Sequence, residues 1–259
     1  MTDGALQGAG VLVTRPRAQA TELIAAIENQ GGSVVCLPVI DIVPRDENAV
    51  RADVESLPDP DIVLFVSRNA VEYGMQYAGS AKTGAIGPST AAAILATGHN
   101  VDIRPRDGYD SESLLKEPSL DDVSGKQILI VRGDSGRELL AETLTARGAA
   151  VNYLCVYKRQ LATTSPDLIT AVETGWRDGD INFVTVMSVQ TLNNLLTLLP
   201  DWCVAQLENT PLVTPAARVI KVALDRHPAA RTVLASGPGA EQMVKAIIEN
   251  HRTDCGPAP

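Results

Sequence analysis

Tyr157 and a set of short polar loops are the parts of this chain that could do chemistry. Tyr157 ends an apolar strand pattern, Val151 to Val156, and is followed by Lys158. A phenol so placed can donate a proton, and a neighbouring ammonium would favour its ionised form or bind an anion. The alternative is a ring packed in the core with its hydroxyl in water. The loops are Arg15-Pro16, Ser67-Arg68-Asn69, Gly87-Pro88-Ser89-Thr90, Arg132 to Gly136, Ser188, Thr214-Pro215 and Ser236 to Gly239. Each runs into a helical pattern. Helix N-termini present free N–H groups and partial positive charge, which suit carboxylates and phosphates. Taken singly, each Ser or Thr is better explained as a helix cap. Several converging on one cleft favour anion binding. Arg15 and Arg132 either add charge there or tie their loops to a sheet; the sequence leaves both readings open.

Other chemistries find little support. Cys36, Cys155, Cys203 and Cys255 form no C-x-x-C pair, and His99, His227 and His251 lie far from them in sequence. No metal or redox centre is expected. Cys36 and Cys155, on strands, read as buried small hydrophobes. Gly237-Pro238-Gly239 starts a dinucleotide-type loop, but Gln242 stands at its third glycine position. There is no P-loop and no nucleophile elbow, so no cofactor is called for. Arg132-Gly133-Asp134 spells an adhesion tripeptide by coincidence. The net charge of −9 argues against nucleic acid as a partner. Met1 to Gln7 carries no signal-peptide pattern, and no apolar run approaches the roughly 18 residues of a membrane span. The expectation is a cytoplasmic monomer with no membrane association.

The elements that must position these residues follow from composition and pattern. Of 259 residues, 45% are apolar but only 3% aromatic, so the cores are aliphatic, as parallel sheets require. Gln127 to Lys158 reads as strand, loop, helix and strand, with Asp134 to Gly136 opening the helix and Gly148 ending it. The unit recurs. A shift of 117 positions lays Arg132 on Arg15, Leu140 on Leu23, Gly148 on Gly31 and Val156 on Val39. Ser188 follows Ser67 by 121 positions, and Thr214 follows Gly87 by 127. The pattern predicts two similar α/β halves, each a parallel sheet with helices on both faces and a cleft between them. Val101 to Arg104 reads as a strand, Pro38 to Val43 as an edge ribbon or linker, and Ser236 to Gly239 as the start of a last helix to Glu249. Arg252 to Pro259 reads as a disordered tail.

Taken together, Thr14-Arg15-Pro16, Val66-Ser67-Arg68-Asn69-Ala70-Val71, Ile86-Gly87-Pro88-Ser89-Thr90-Ala91, Arg132 to Arg137, Gly148 with Val151, and Val156-Tyr157 resemble the uroporphyrinogen-III synthase family. The resemblance spans about Gly10 to Ile248. It rests on the order and spacing of these motifs, none being diagnostic alone. The chain departs from the family's usual Thr-Ser at Met187-Ser188, so only the serine carries over. The resemblance implies a discontinuous domain of residues 1–37 plus 161–259 and an inserted domain of 41–156. A two-stranded linker of 38–40 and 157–160 would join them. It implies a hydro-lyase that closes hydroxymethylbilane to uroporphyrinogen III, losing water and inverting the last pyrrole ring, without cofactor or metal. Tyr157 takes the place of the tyrosine favoured as proton donor. Arg15, Ser67, Arg68, Asn69, Gly87, Ser89, Thr90, Arg132, Ser188 and Thr214 are the substrate contacts it suggests. Two rivals remain at this level: a non-catalytic two-lobed module binding a small polyanion, and a flavin or nucleotide protein of related topology.

Overall fold

A computed structural model describes residues 4–254 of the chain. In chain order the elements are β1 (Gly10–Val13), α1 (Arg17–Glu28), β2 (Ser33–Cys36), β3 (Ile40–Pro44), α2 (Glu47–Glu55), β4 (Ile62–Phe65) and α3 (Arg68–Gly74). Next come β5 (Lys82–Ala85), α4 (Pro88–Ala96), α5 (Ser111–Leu114), β6 (Gln127–Gly133), α6 (Leu139–Ala146), β7 (Ala150–Leu161), α7 (Pro166–Arg177) and β8 (Phe183–Thr185). The chain closes with α8 (Val189–Leu198), α9 (Asp201–Gln206), β9 (Leu212–Thr214), α10 (Ala217–Arg226), β10 (Thr232–Leu234) and α11 (Ala240–Asp254). It folds into two compact units. One holds the chain up to Asp41 and again from Gln160; the other is Ile42–Arg159.

The first unit's sheet has the strand order β10-β9-β8-β1-β2, all parallel. In order of appearance that is 2-1-3-4-5, whose topological switch point lies between β1 and β8. The second unit's sheet has the order β3-β7-β6-β4-β5. Its four strands β7, β6, β4 and β5 are parallel and match β2, β1, β8 and β9 in place. Its switch point therefore lies between β6 and β4. The 117-residue repeat is thus a permuted pair of sheets: β6 and β7 copy β1 and β2, and β4 and β5 copy β8 and β9. β3 adds an edge strand in the opposite sense, since Arg45 N–H bonds to Val156 O while Ala162 N–H bonds to Val39 O.

Burial on both faces explains the composition. In the second unit, Val63, Phe65, Leu129, Val131, Leu154 and Val156 face α2, α3 and α4. The alternate residues Ile62, Leu64, Ile128 and Ile130 face α5 and α6. Strand alternation splits consecutive apolar residues between two cores, so each strand must be apolar throughout. The first unit repeats this, with Val11, Val13, Phe183 and Val213 packed under α1 and α11.

Some sequence expectations need correction. Val101 to Arg104 is not a strand: only Ile103 forms a bridge, to Gly84. It sits where the fifth strand would stand. The last helix passes Glu249 and runs to Asp254, taking in the first part of the expected tail; the rest of that tail, with Cys255, lies outside the described residues. Cys36 and Cys155 are only half-buried, on strands near sheet margins; the fully buried cysteine is Cys203 on α9. α6 opens at Leu139 rather than at Asp134 to Gly136. The Asp134 amide bonds instead to Tyr157 O at 3.0 Å, and its Oδ1 accepts from the Arg159 amide at 3.4 Å. Asp134 is therefore committed to β7 and cannot cap a helix.

Gly74 marks the closest approach of α3 to the sheet. A Cβ there would lie 2.5 Å from Val131 Cγ1 and 3.3 Å from Val156 Cγ1. Alanine would favour the helix by about 1 kcal/mol at most, but overpacking against stiff β-branched side chains costs about 1–3 kcal/mol. We expect Gly74→Ala to lower the urea-unfolding stability; an unchanged midpoint would show that α3 can back away freely.

Candidate functional site

The second unit brings its polar loops together at the C-terminal ends of β6 and β4, its switch point. Tyr157 lies on β7 and is 1% exposed. Its ring crosses β6 at Gly133. A Cβ on Gly133 would lie 2.7 Å from Cε2 and 2.8 Å from Cζ of that ring, so only glycine admits it. The β6–β7 register slips between Arg132 and Gly133, which brings Gly133 opposite Tyr157. The hydroxyl then reaches past β6 to the loop after β4. There it lies 3.1 Å from Ser67 Oγ, and Arg159 donates to it at 3.3 Å. Tyr73 packs its ring 6.3 Å away, centre to centre.

Ser67 has two tasks. Its Oγ caps α3 by accepting from the Ala70 amide at 3.0 Å, and it meets Tyr157. The cation that bonds to the phenol is not the neighbouring Lys158 that the sequence suggested. Strand alternation turns residue 158 to the other face and puts 157 and 159 on the same one, so the cation beside the phenol is Arg159.

Arg132 is buried, and its guanidinium donates to Glu138 at 2.9 Å. It also lies 4.6 Å from the centre of the Tyr153 ring. Tyr153 donates its hydroxyl proton to the other Glu138 oxygen at 2.5 Å. The Tyr153 hydroxyl, and then Arg132, hold the Glu138 carboxyl below its usual range. Burial first, then the hydrogen bond to the Glu138 carboxylate, push the Tyr153 phenol up to about 12. This closed group takes the place of a side-chain cap at the start of α6, for Glu138 stands at the cap position without capping. Arg137 pairs likewise with Glu112. A cavity of about 160 Å³ opens here, lined by Ser135, Gly136, Arg132, Arg137, Tyr157 and Arg159 among others.

The remaining candidates divide. Arg68 is exposed and Asn69 half-buried in the first turn of α3. Gly87 caps α4 in an extended conformation, with Tyr109 Cβ at 2.8 Å from where its own Cβ would stand. Ser89 is exposed on α4, whereas Thr90 is buried within that helix's packed face. None of these five lines the cavity. In the first unit, Arg15 donates to Pro238 O across the loops after β1 and β10. Its Nε is buried without a partner, and burial lowers its pKa. Ser188 caps α8, accepting from the Thr191 amide at 3.1 Å. Thr214 is fully buried, its Oγ1 accepting from the Ala216 amide at 3.2 Å. Among the described residues no group of three or more His, Cys, Asp or Glu side chains could hold a metal ion, and no helix is long and apolar enough to cross a membrane.

A family model described as uroporphyrinogen-III synthase HemD matches residues 21–245. The chain belongs to the uroporphyrinogen-III synthase family. The uroporphyrinogen-III synthase of Salmonella typhimurium is 35% identical over 202 residues, covering 74% of this chain and 80% of that protein. The Escherichia coli synthase is 31% identical with the same coverage. Solved uroporphyrinogen-III synthases from Helicobacter pylori (TM-score 0.62, 12% identity) and Thermus thermophilus (TM-score 0.56, 18% identity) share the fold. Each covers 94% of this chain and is itself matched over its whole length. The family places the chain among the lyases of tetrapyrrole biosynthesis.

Sequence reasoning missed Glu138, Tyr153 and Arg159 as parts of this cluster, and named Gly133 only as one residue of the Arg132 to Gly136 loop. Arg159 was within reach, because two-residue alternation on a strand puts it beside Tyr157. Glu138 was not, because it belongs to a helix start whose place depends on what Asp134 does. We expect the Tyr153 phenol to titrate near pH 12 rather than its ordinary 10. A raised folded-state pKa means that this contribution to stability is whole below pH 10 and is lost as pH rises to about 12. Ultraviolet difference titration of the protein against Tyr153→Phe checks it; a Tyr153 phenolate signal with its midpoint near pH 10 would contradict the raised value.

Proposed function

We propose that this chain closes the linear tetrapyrrole hydroxymethylbilane to uroporphyrinogen III, inverting the last ring through a spiro intermediate, with Tyr157 as the acid. The observation that carries this is the Tyr157 hydroxyl, held by Ser67 and Arg159 at a sheet switch point beside a cavity that Arg132, Arg137 and Arg159 also line. Tyr157 gives its proton to the substrate's terminal hydroxyl, which leaves as water, and pyrrole electrons fill the vacated carbon. The vacated carbon bonds first to the substituted α-carbon of the last ring, giving the spiro intermediate. The older bond from that ring carbon to its methylene bridge then breaks, and the freed bridge carbon bonds to the ring's other α-carbon, whose proton the phenolate takes back. The balance closes with one water lost and no electrons exchanged.

The substrate cyclises unaided to the wrong isomer, so most of the enzyme's task is orientation. Its acetates and propionates need donors. Arg68 and Asn69 supply side-chain donors in this reading, and Arg15 and Arg132, already bonded to Pro238 O and Glu138, add positive charge. The loops of Gly87, Ser89 and Thr90, of Ser188 and of Thr214 supply backbone N–H groups and hydroxyls. The overall charge of −9 is no obstacle, because long-range repulsion is screened beyond about 8 Å at physiological salt. We take the working form to be a monomer in the cytoplasm, acting without a cofactor.

The test is incubation with hydroxymethylbilane and separation of the product isomers. We expect isomer III, formed faster than the spontaneous reaction; isomer I alone at the spontaneous rate would sink the proposal. Tyr157→Phe should slow turnover by roughly 10²-fold or less, the low end of general-acid effects. Wild-type turnover in that variant would remove Tyr157 from the acid role while leaving the synthase reading intact.

A further inference from the structure

We infer that Arg159 is a positioning residue that directs the Tyr157 proton into the cavity and receives the phenolate charge once it has left. The inference rests on the reading of Tyr157 as the acid. It starts from a contrast among the arginines of one cavity wall. Arg132 is held by Glu138 and Arg137 by Glu112. Among the described residues the Arg159 guanidinium has no carboxylate partner; its side chain is exposed and its N–H donates to Tyr157. Its backbone is nevertheless fixed, because Asp134 binds the Arg159 amide through Oδ1 and the Tyr157 carbonyl through its own amide. The two residues therefore stand in one rigid segment of β7.

Arg159 fills one lone pair of the phenol oxygen, and Ser67 can fill the other. A guanidinium donates only, so the Tyr157 oxygen must accept from Arg159. The guanidinium carbon is 5.8 Å from the ring centre, near the limit at which a cation over the face contributes, so the hydrogen bond is the main contact. Ser67 Oγ already accepts from the Ala70 amide and keeps one hydrogen to give. When Ser67 gives it to Tyr157, both lone pairs of the phenol oxygen are filled. The phenol hydrogen then has to point away from both donors, toward the open cavity. When the proton leaves, the same two donors face a phenolate oxygen with no rearrangement. A donor that strengthens only as charge develops acts on kcat rather than on substrate affinity.

The test is a double-mutant cycle. We expect Arg159→Met to lower kcat by about 10- to 10²-fold with KM little changed. An exposed donor sits below the 10²–10³-fold cost of a buried oxyanion donor, and the loss cannot exceed that of Tyr157→Phe. Arg159→Lys should restore part of the rate. In the Tyr157→Phe background, Arg159→Met should cost less than about twofold, since its target is gone. Equal losses in both backgrounds would overturn the inference, as would a raised KM at unchanged kcat, which is the mark of a residue that binds a substrate carboxylate directly. Wild-type turnover in Tyr157→Phe would overturn the acid reading and this inference together. A normal Tyr157→Phe loss with an additive Arg159 effect would overturn this inference alone. Arg159 is exposed, so urea unfolding of Arg159→Met should match the parent and exclude misfolding as the cause.

Discussion

The close contact between the bare α-carbon of Gly133 and the ring of Tyr157 is the constraint on which the site depends. A parallel strand ordinarily confines its side chains to its own row. Here the register slip at Arg132 and Gly133, with no Cβ in the way, lets a ring rooted on β7 cross β6. It thereby reaches the loop that follows β4. Burial, the Ser67 bond and the Arg159 bond all follow from that crossing. A methyl group at residue 133 would need the space now filled by a ring wedged against Tyr73.

The polar groups around this contact show how a chain of net negative charge presents positive charge locally. Arg132 is buried and would be costly unpaired, so Glu138 neutralises it, and Tyr153 fills the second carboxylate oxygen. Arg137 is exposed and paired with Glu112, an arrangement worth little to stability but sufficient to hold a loop. Arg159 alone on this wall has its guanidinium turned to a phenol instead of a carboxylate. In the first unit Arg15, the repeat counterpart of Arg132, ties its loop to Pro238 O. The two equivalent arginines thus both anchor loops, one through a carboxylate and one through a backbone carbonyl.

The duplication explains why such different loops occupy equivalent places. β6 and β7 copy β1 and β2, and β4 and β5 copy β8 and β9, so each sheet has its switch point beside an equivalent serine cap, Ser67 or Ser188. Only the second unit has a tyrosine and a glycine at the crossing. In the first unit, Ser188 spends its hydroxyl on Thr191. The copies share the frame, and the second has a phenol at its serine where the first has Thr191.

What the sequence determined by itself was the frame. The aliphatic runs, the glycines that end helices, the repeat and the helix-capping serines are local patterns, each readable within a dozen residues, and their order carried the family resemblance. Val101 to Arg104 shows the limit of that reading: the segment makes one bridge, to Gly84, in the place where the first sheet has the strand β10. The tertiary structure alone decided which polar groups meet. Ser67, Gly133, Glu138, Tyr153, Tyr157 and Arg159 come from four separate segments, and their meeting depends on strand register, in which a one-residue slip exchanges one face for the other. That slip gave Gly133 to Tyr157 and Asp134 to β7. Alternation along β7 put Arg159, rather than the neighbouring Lys158, beside the phenol.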